Sequence, residues 1–360
     1  MQAYWPANLW EFIARNWAAV AIAATCLSVL AWIALVLNKY VRICLNIFVS
    51  TPPPPGLNGR PEYERILGEK VRFRAFDGVS LRGMWLWADR PRGTILFAHE
   101  YGSDMHSFAR YVRPLMRAHF NIFTFDFRGH GASGCPNGYK PLQWPSDKEL
   151  GDVLGAVAYA TGRLAERGQP AKVGLLGISR GGSAGILAAD TDERIGAIAC
   201  DGAFSTDEVC ISMMKRWASI FAKIRVAYEN HPDLFWRMMF RVLLCRAHRR
   251  MKCRYPSVRR AVRTMTSRPI LLIHGARDSY VQVEQTQALH RAASRPKYLW
   301  IVPAARHNQA VDMDPAAYAQ RTVAFFTKHL AGEAVDDERI SGPPPADTDR
   351  PPGQSARGAG

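Results

Sequence analysis

Apolar and polar positions fall into three regimes along the chain. From Trp17 to Leu37 nothing is charged, and only Thr25 and Ser28 interrupt the apolar and small residues. As a helix at about 1.5 Å per residue this run reaches roughly 31 Å, the thickness of a bilayer's hydrocarbon core. Tyr4, Trp5, Trp10 and Phe12 precede it, and Trp32 and Tyr40 mark its far end, as interfacial side chains do. A cleaved signal peptide has a shorter apolar stretch ending in small residues, whereas Leu35-Val36-Leu37-Asn38-Lys39 offers no such site. The pattern therefore predicts an uncleaved anchor over residues 1–50, spanning at about 17–37. Arg15 on the amino side, against Lys39, Arg42 and Arg60 beyond, places the carboxyl side in the cytoplasm.

The second regime, about residues 60–330, alternates short apolar runs with amphipathic stretches. Val71 to Phe76 alternates with period two, Asp77-Gly78 turns the chain, and Val79 to Leu86 returns it, which reads as a hairpin. Unalternating runs follow at Thr94 to Ala98, Ile122 to Phe125, Val173 to Leu176, Ile195 to Cys200, Ile270 to Ile273 and Tyr298 to Val302. Such runs suit strands covered on both faces. Helical patterns lie between them: Ser107 to Ala118, Leu150 to Arg167, Gly182 to Ala189, Val283 to Ala293 and Ala316 to Leu330. The alternation predicts an α/β fold, a mostly parallel central sheet with helices on both faces. The third regime is polar: a Pro-rich linker at 51–59, and a tail at 331–360, holding Pro343-Pro344-Pro345 and Pro351-Pro352, that reads as disordered.

Composition changes this picture in two places. Seven cysteines are odd in number, scattered and never spaced C-x-x-C, which argues against a disulfide scaffold and a zinc module. Lys and Arg number 47 against 31 Asp and Glu, a balance of +16 that points to anionic partners. The excess is local. Residues 207–268 carry fifteen Lys and Arg against four acids, whereas 331–360 carry six acids against three arginines. Anionic lipid and nucleic acid are the two partners such a segment could meet, and a face of ordinary helices in water is the plainer reading. No nucleic-acid-binding motif accompanies the charge, so nucleic acid is not expected.

The chemistry-bearing residues sit at strand ends. Gly177-Ile178-Ser179-Arg180-Gly181-Gly182 follows one apolar run and opens a helical pattern. A serine on so sharp a turn needs small residues on either side and has its hydroxyl pushed out above the sheet, at a helix N-terminus. Ile270-Leu271-Leu272-Ile273-His274-Gly275-Ala276-Arg277-Asp278 places an aspartate just past a buried strand, and Val302-Pro303-Ala304-Ala305-Arg306-His307 places a histidine past the next. All three lie at the carboxyl edge of a parallel sheet, where such sheets collect their sites. Asp201 competes with Asp278 as the acid, and His99, His130 and His274 compete with His307, although His274 falls inside a strand and the other two suit structural roles in loops.

Ser, Asp and His in that chain order resemble the α/β-hydrolase superfamily over about Val71 to Leu330. Two further stretches carry the likeness: Phe125-Asp126-Phe127-Arg128-Gly129-His130-Gly131-Ala132-Ser133, and the hairpin Phe76-Asp77-Gly78-Val79-Ser80-Leu81-Arg82-Gly83. The narrower resemblance is to the esterase, lipase and serine-aminopeptidase-like branch, which includes membrane-anchored hydrolases of the BEM46 type. It implies Ser179 as nucleophile, His307 as general base and acid, and Asp278 as the group orienting His307. It also implies an oxyanion hole from the backbone N–H of Arg180 and of Tyr101 in the loop His99-Glu100-Tyr101-Gly102, and no cofactor or metal. Glu100 departs from the family's usual glycine after that histidine, and its carboxylate is expected to point away from the site. Asp126 and Arg128 are expected as hydrogen-bonding loop residues.

The stretch from Asp201 to Ile270 is longer than a crossover needs, and this is where α/β-hydrolases insert a lid, here about 207–266. Ile211, Met214, Trp217, Ala218, Phe221, Ile224 and Tyr228 share one helical face, and Leu234 to Leu244 is apolar nearly all round. Six of the eleven methionines fall between Met213 and Met265, and methionine suits adaptable apolar surfaces. The whole predicts a membrane-anchored serine hydrolase of esters or thioesters, with a small-molecule or lipid-like acyl substrate and the membrane as partner. A peptidase or amidase of the same fold, and a non-catalytic tethered binding module, are the alternatives.

Overall fold

The structure is a computed structural model and describes residues 15–50, 66–221 and 231–341. These fall into two compact units, divided at Thr51/Pro52, Met213/Met214 and Arg250/Met251. The linker at 51–59 and the proline-rich residues 342–360 lie outside the described residues.

The larger unit is built on eight strands. They are β1 (Glu69–Arg74), β2 (Ser80–Leu86), β3 (Thr94–Ala98), β4 (Asn121–Asp126), β5 (Val173–Ile178), β6 (Ile195–Asp201), β7 (Ile270–Gly275) and β8 (Lys297–Val302). Their order in the sheet is β1-β2-β4-β3-β5-β6-β7-β8. The hairpin pairs antiparallel with itself and with β4, and every pairing from β4 to β8 is parallel. At the hairpin turn Gly78 takes φ +86, the left-handed region that a side chain disfavours.

The larger unit's first three helices are α2 (Phe108–Arg117), α3 (Asp147–Glu166) and α4 (Arg180–Thr191), the long helix α1 near the N-terminus being described below. Then come α5 (Thr206–Phe221), which crosses the unit boundary, α6 (Asp233–Met251), α7 (Val258–Thr264) and α8 (Val283–Ala292). The short α9 (Ala310–Met313), α10 (Pro315–His329) and α11 (Glu338–Ser341) close the described chain. Local chemistry sets their starts. Ser146 and Glu149 form a reciprocal capping box at α3, and Asp314 accepts from Ala317 N–H while Pro315 opens α10.

Alternate residues of each strand feed two cores. Leu96, Phe123, Leu175, Ile198 and Leu272 pack with Val153, Val157 and Ala160 of α3 and with α4, α7 and α8 on one face. Ile95, Phe97, Ile122, Leu176 and Leu271 pack with Tyr111, Val112 and Leu115 of α2 and with Tyr318, Phe325 and Phe326 of α10 on the other. A strand buried on both faces has no use for polar residues, hence the unbroken apolar runs. Edge strand β8 is half-buried in alternation instead.

Two differences from the sequence-based picture stand out. Residues 331–341, expected as the start of a disordered tail, are ordered: Ile340 is fully buried and Tyr298 Oη donates to Asp337 Oδ1 at 2.6 Å. Val335 and Ile340 pack on the core and Glu333 and Asp337 pair with Arg92 and Tyr298, at spacings that do not register as periodicity. The insertion is also narrower than 207–266 as a separate body, because α7 lies in the larger unit, packed beside α4 and α8.

The smaller unit joins α1 (Trp17–Ser50) to Met214–Arg250. Its α1 is one continuous helix of 34 residues, whose most apolar window is long enough to cross a membrane and is 0 % buried. The helix runs past Leu37, and Val41, Cys44, Leu45, Phe48 and Val49 form a buried stripe along its last turns. Arg250 Nη1 donates to Asn46 Oδ1 at 2.9 Å, joining the two segments of the unit.

Candidate active site

Strand β5 ends at Ile178 and α4 begins at Arg180, so Ser179 alone makes the turn, at φ 50 and ψ −116. A non-glycine residue held there stores on the order of 1–3 kcal/mol of strain. Its surroundings enforce it. Ser179 N–H donates to Asp201 O at 2.7 Å, and Ser179 O accepts from Ser183 N–H at 3.0 Å. A Cβ on Gly177 would lie 2.4 Å from Gly182 Cα, and one on Gly181 would lie 2.2 Å from Ala98 O. The glycines are therefore sites where backbone touches backbone, and the serine is what the turn presents.

Two loops at the same sheet edge bring the partners. A Cβ on Gly275 would lie 2.4 Å from Ala305 O, so glycine there lets the loop after β7 lie against the loop after β8. Arg277 N–H donates to Ala305 O at 2.9 Å, which locks the two together. Asp278 Oδ1 accepts from the N–H of Tyr280 and of Val281, each at 2.8 Å. Its Oδ2 accepts from His307 Nδ1 at 2.6 Å. The other ring nitrogen, His307 Nε2, lies 2.8 Å from Ser179 Oγ. With the proton on Nδ1 held by the carboxylate, Nε2 is left to accept the serine's proton. Ser179 and Asp278 are 6 % and 7 % exposed, and the His307 side chain is 19 % exposed, which leaves the line reachable from outside.

The competing histidines have other partners. His99 Nδ1 faces Glu100 O at 2.6 Å and its Nε2 accepts from Phe127 N–H at 3.1 Å. His130 Nδ1 faces Arg128 O at 3.0 Å, and burial followed by the Arg180 charge drives its pKa down to about 4. His274 is spent on Val281 O and Thr286 Oγ1, both at 2.8 Å, although its Nε2 also lies 3.3 Å from Asp278 Oδ2. Asp126 accepts from Met105 and Ala132 N–H at 2.7 and 2.8 Å. Arg128 is buried between Asp77 and Asp152, with bonds of 2.7 to 2.9 Å.

Glu100 is buried, which pushes its pKa up, and its carboxylate accepts from Ser107 Oγ at 3.4 Å. Its partners thus lie toward the start of α2. The Arg180 side chain is a feature that sequence reading missed, having used only its backbone N–H. It is buried, donates to Leu142 O at 2.9 Å, lies 3.5 Å from Glu149 Oε1, and sits 5.1 Å over the Tyr101 and Phe127 rings. The charge directly after Ser179 thereby ties the elbow to the loop preceding α3. Tyr280 was missed as well. Its ring meets His307 edge-on at 5.2 Å, and its hydroxyl donates to Gln143.

Asp201 ends β6, one strand from Asp278. Its side chain is 1 % exposed, and neither carboxylate oxygen has a hydrogen-bond partner among the described residues.

A family model described as serine aminopeptidase, S33, matches residues 89–314, more than half of the chain and all three residues of the line. The chain belongs to this hydrolase family. Among curated proteins, this S33 hydrolase is similar to YfhR of Escherichia coli K12, itself uncharacterized, with 24 % identity over 298 residues covering 80 % of this chain and 89 % of YfhR. The Salmonella typhimurium YfhR is 27 % identical over 248 residues, covering 67 % and 75 %. Among solved structures, the Pyrococcus furiosus esterase Pf2001 superposes with a TM-score of 0.55 at 21 % identity, over 78 % of this chain and 98 % of the esterase. The α/β hydrolase GrgF of Penicillium sp. sh18 gives 0.54 at 16 % identity, over 74 % and 100 %. At these identities the likeness establishes the α/β-hydrolase fold.

Proposed function

We propose that this hydrolase cleaves carboxylic esters or thioesters through Ser179. The observation that carries the reading is the continuous line from Ser179 Oγ to His307 Nε2 at 2.8 Å and from His307 Nδ1 to Asp278 Oδ2 at 2.6 Å. His307 takes the Ser179 proton as Oγ attacks the acyl carbon, and Asp278 supports the imidazolium that forms. Collapse of the tetrahedral adduct passes that proton to the leaving oxygen or sulfur and leaves an acyl-enzyme. Water, deprotonated by His307, then releases the acid. The backbone N–H groups of Arg180, at the first turn of α4, and of Tyr101 are the proposed oxyanion donors.

The family description names an aminopeptidase, so amide cleavage is the second reading. An aminopeptidase must hold a substrate ammonium. Among the described residues Glu100, Glu149, Asp201 and Asp278, four carboxylates at the sheet edge around Ser179, are buried, at 8 %, 1 %, 1 % and 7 % exposure. That favours the ester. Alkyl fluorophosphonate should label the wild type and not Ser179→Ala, with p-nitrophenyl esters turned over well ahead of aminoacyl nitroanilides. Equal labelling of the variant sinks the reading, and reversed substrate preference moves it to the amidase.

The anchor enters the same proposal: α1 spans the bilayer, as in BEM46-type hydrolases, with the hydrolase unit on the cytoplasmic side. On α6 the exposed Leu234, Met238 and Val242 follow one another at i+4, beside the exposed Arg237 and Arg241. An apolar stripe flanked by arginines fits a lipid surface with anionic headgroups and a lipid-like acyl substrate. Arg237→Ser with Arg241→Ser should lower the full chain's turnover of a long-chain ester in anionic vesicles by several-fold relative to neutral ones. An unchanged ratio removes the headgroup contact from the proposal.

A further inference from the structure

The structure holds a second carboxylate within electrostatic reach of His307 that the line above does not use. Asp201 closes β6, between the strand carrying Ser179 and the strand leading to Asp278, and is in register with Ile178 and Ile273. Its backbone carbonyl accepts from Ser179 N–H at 2.7 Å, and Gly202 N–H donates to Ile273 O at 2.9 Å, so the main chain here is pinned on both sides. The next residue, Gly202, abuts the histidine. A Cβ on Gly202 would lie 3.2 Å from His307 Cε1 and 2.8 Å from Asn308 Oδ1.

The Asp201 side chain is buried, and neither oxygen meets a donor among the described residues. A buried carboxyl with nothing donating to it is a costly anion, and its charge state follows the nearest charges. Each element packed around it contributes one. His307 in the loop after β8 and Arg110 on α2 favour the anion, whereas Asp278 after β7 and Glu100 after β3 oppose it. The buried hydroxyls of Tyr111 on α2 and Tyr318 on α10 feel the Asp201 charge, and Cys200 precedes it on β6. Burial outweighs the cations and pushes the Asp201 pKa up to about 7.

We infer that Asp201 is a positioning residue acting through His307: as the anion it favours the imidazolium that forms when His307 takes the Ser179 proton, and as the neutral acid it does not. The inference rests on the Ser179 reading. Proton accounting is simple. Asp201 exchanges its own proton with solvent between turnovers and takes none from His307, while the Ser179 proton moves to Nε2 and on to the leaving group. Ester hydrolysis is thus sensitive to the charge on Asp201, because His307 acts as the base and a charged Asp201 supports the cation that base becomes.

The sign of the test follows. An anion at 201 stabilises imidazolium relative to imidazole, so removing it moves the rising limb of the rate profile to lower pH and lowers the plateau above it. The experiment is kcat/KM against pH for p-nitrophenyl ester hydrolysis by the detergent-solubilised full chain, in wild type, Asp201→Asn, Asp278→Asn and the double variant. For Asp201→Asn we expect a limb displaced by roughly half to one pH unit and a plateau lowered about 3- to 10-fold. Added to Asp278→Asn, the same change should cost more than it does alone, since neither aspartate then supports the imidazolium. Should the asparagine variant not fold, Asp201→Ser makes the same charge change in a smaller side chain. An unmoved limb overturns the inference, whether the plateau holds or falls evenly at every pH as it does for a merely structural residue. Ser179→Ala in the same assay separates the levels: if it keeps the rate, the nucleophile assignment fails first, and if it is silent while the Asp201→Asn limb is unmoved, only the role of Asp201 falls.

Discussion

Asp278 and Asp201 stand at the same edge of the same sheet, past neighbouring strands, and both are buried. Asp278 sits in a loop that folds back over it, so two backbone N–H groups and His307 point at its oxygens. Asp201 is the last residue of β6, where the backbone is committed to the sheet and to Ser179 N–H, and nothing among the described residues donates to its carboxylate. The same residue type thus becomes a fully hydrogen-bonded carboxylate in one place and a titrating acid in the other. What separates them is the supply of donors, which a turn provides and a strand end does not.

The comparison breaks most visibly at Asp278. Asp278→Asn keeps the shape but removes the anion that holds the Nδ1 proton, and should reduce kcat by 10²- to 10⁴-fold in steady-state ester hydrolysis. A loss under tenfold would mean Asp201 is the principal acid. Gly202→Ala probes the ground between the two. Its methyl would press on His307 Cε1 at 3.2 Å and Asn308 Oδ1 at 2.8 Å, at a residue with φ +70. We expect a roughly tenfold loss of kcat with a lowered Tm, read by kinetics and thermal melting, and full activity would show that His307 has room to spare.

The smallest effect is on stability. Asp201 binds its proton more tightly folded, where burial pushes its pKa up to about 7, than unfolded, where an aspartate keeps its ordinary value of 3.8. Between those values the folded state holds more protons, so its stability falls as pH rises. That fall, measured as the change in Tm between pH 5 and pH 8 in the full chain, should be shallower in Asp201→Asn. Comparing slopes cancels the cost of burying the new amide. Equal slopes would mean that Asp201 ionises in the folded state as it does in the unfolded one.

Much of this was open to a reader of the chain. Strand runs such as Thr94 to Ala98, and helices such as 283–292, appear where periodicity places them, because a two-faced core leaves few other patterns. Helix α3 begins at Asp147, not Leu150, since the Ser146–Glu149 capping box extends it by a polar turn that hydropathy does not register. The ordered stretch through Ile340 escaped because its contacts, from Glu333, Val335, Asp337 and Ile340, follow no hydrophobic period.

The residues of the line were legible because each carries a local signature: flanking glycines for Ser179, the end of an apolar run for Asp278, the loop after the next run for His307. Their order along the chain, the long apolar helix and the uneven charge are likewise properties of one dimension, and the sequence alone determined them. Which of two aspartates receives donors, that Arg180 turns inward to Leu142 and Glu149, and that Tyr280 closes on His307 were decided only by the tertiary structure. Those outcomes depend on backbone N–H groups, carbonyls and rings that the chain separates by 2 and 3 residues at Asp278 and by 27 to 38 residues at Tyr280 and Arg180. Hydrogen bonding and desolvation act over a few ångströms, and only the packed sheet brings such groups that close.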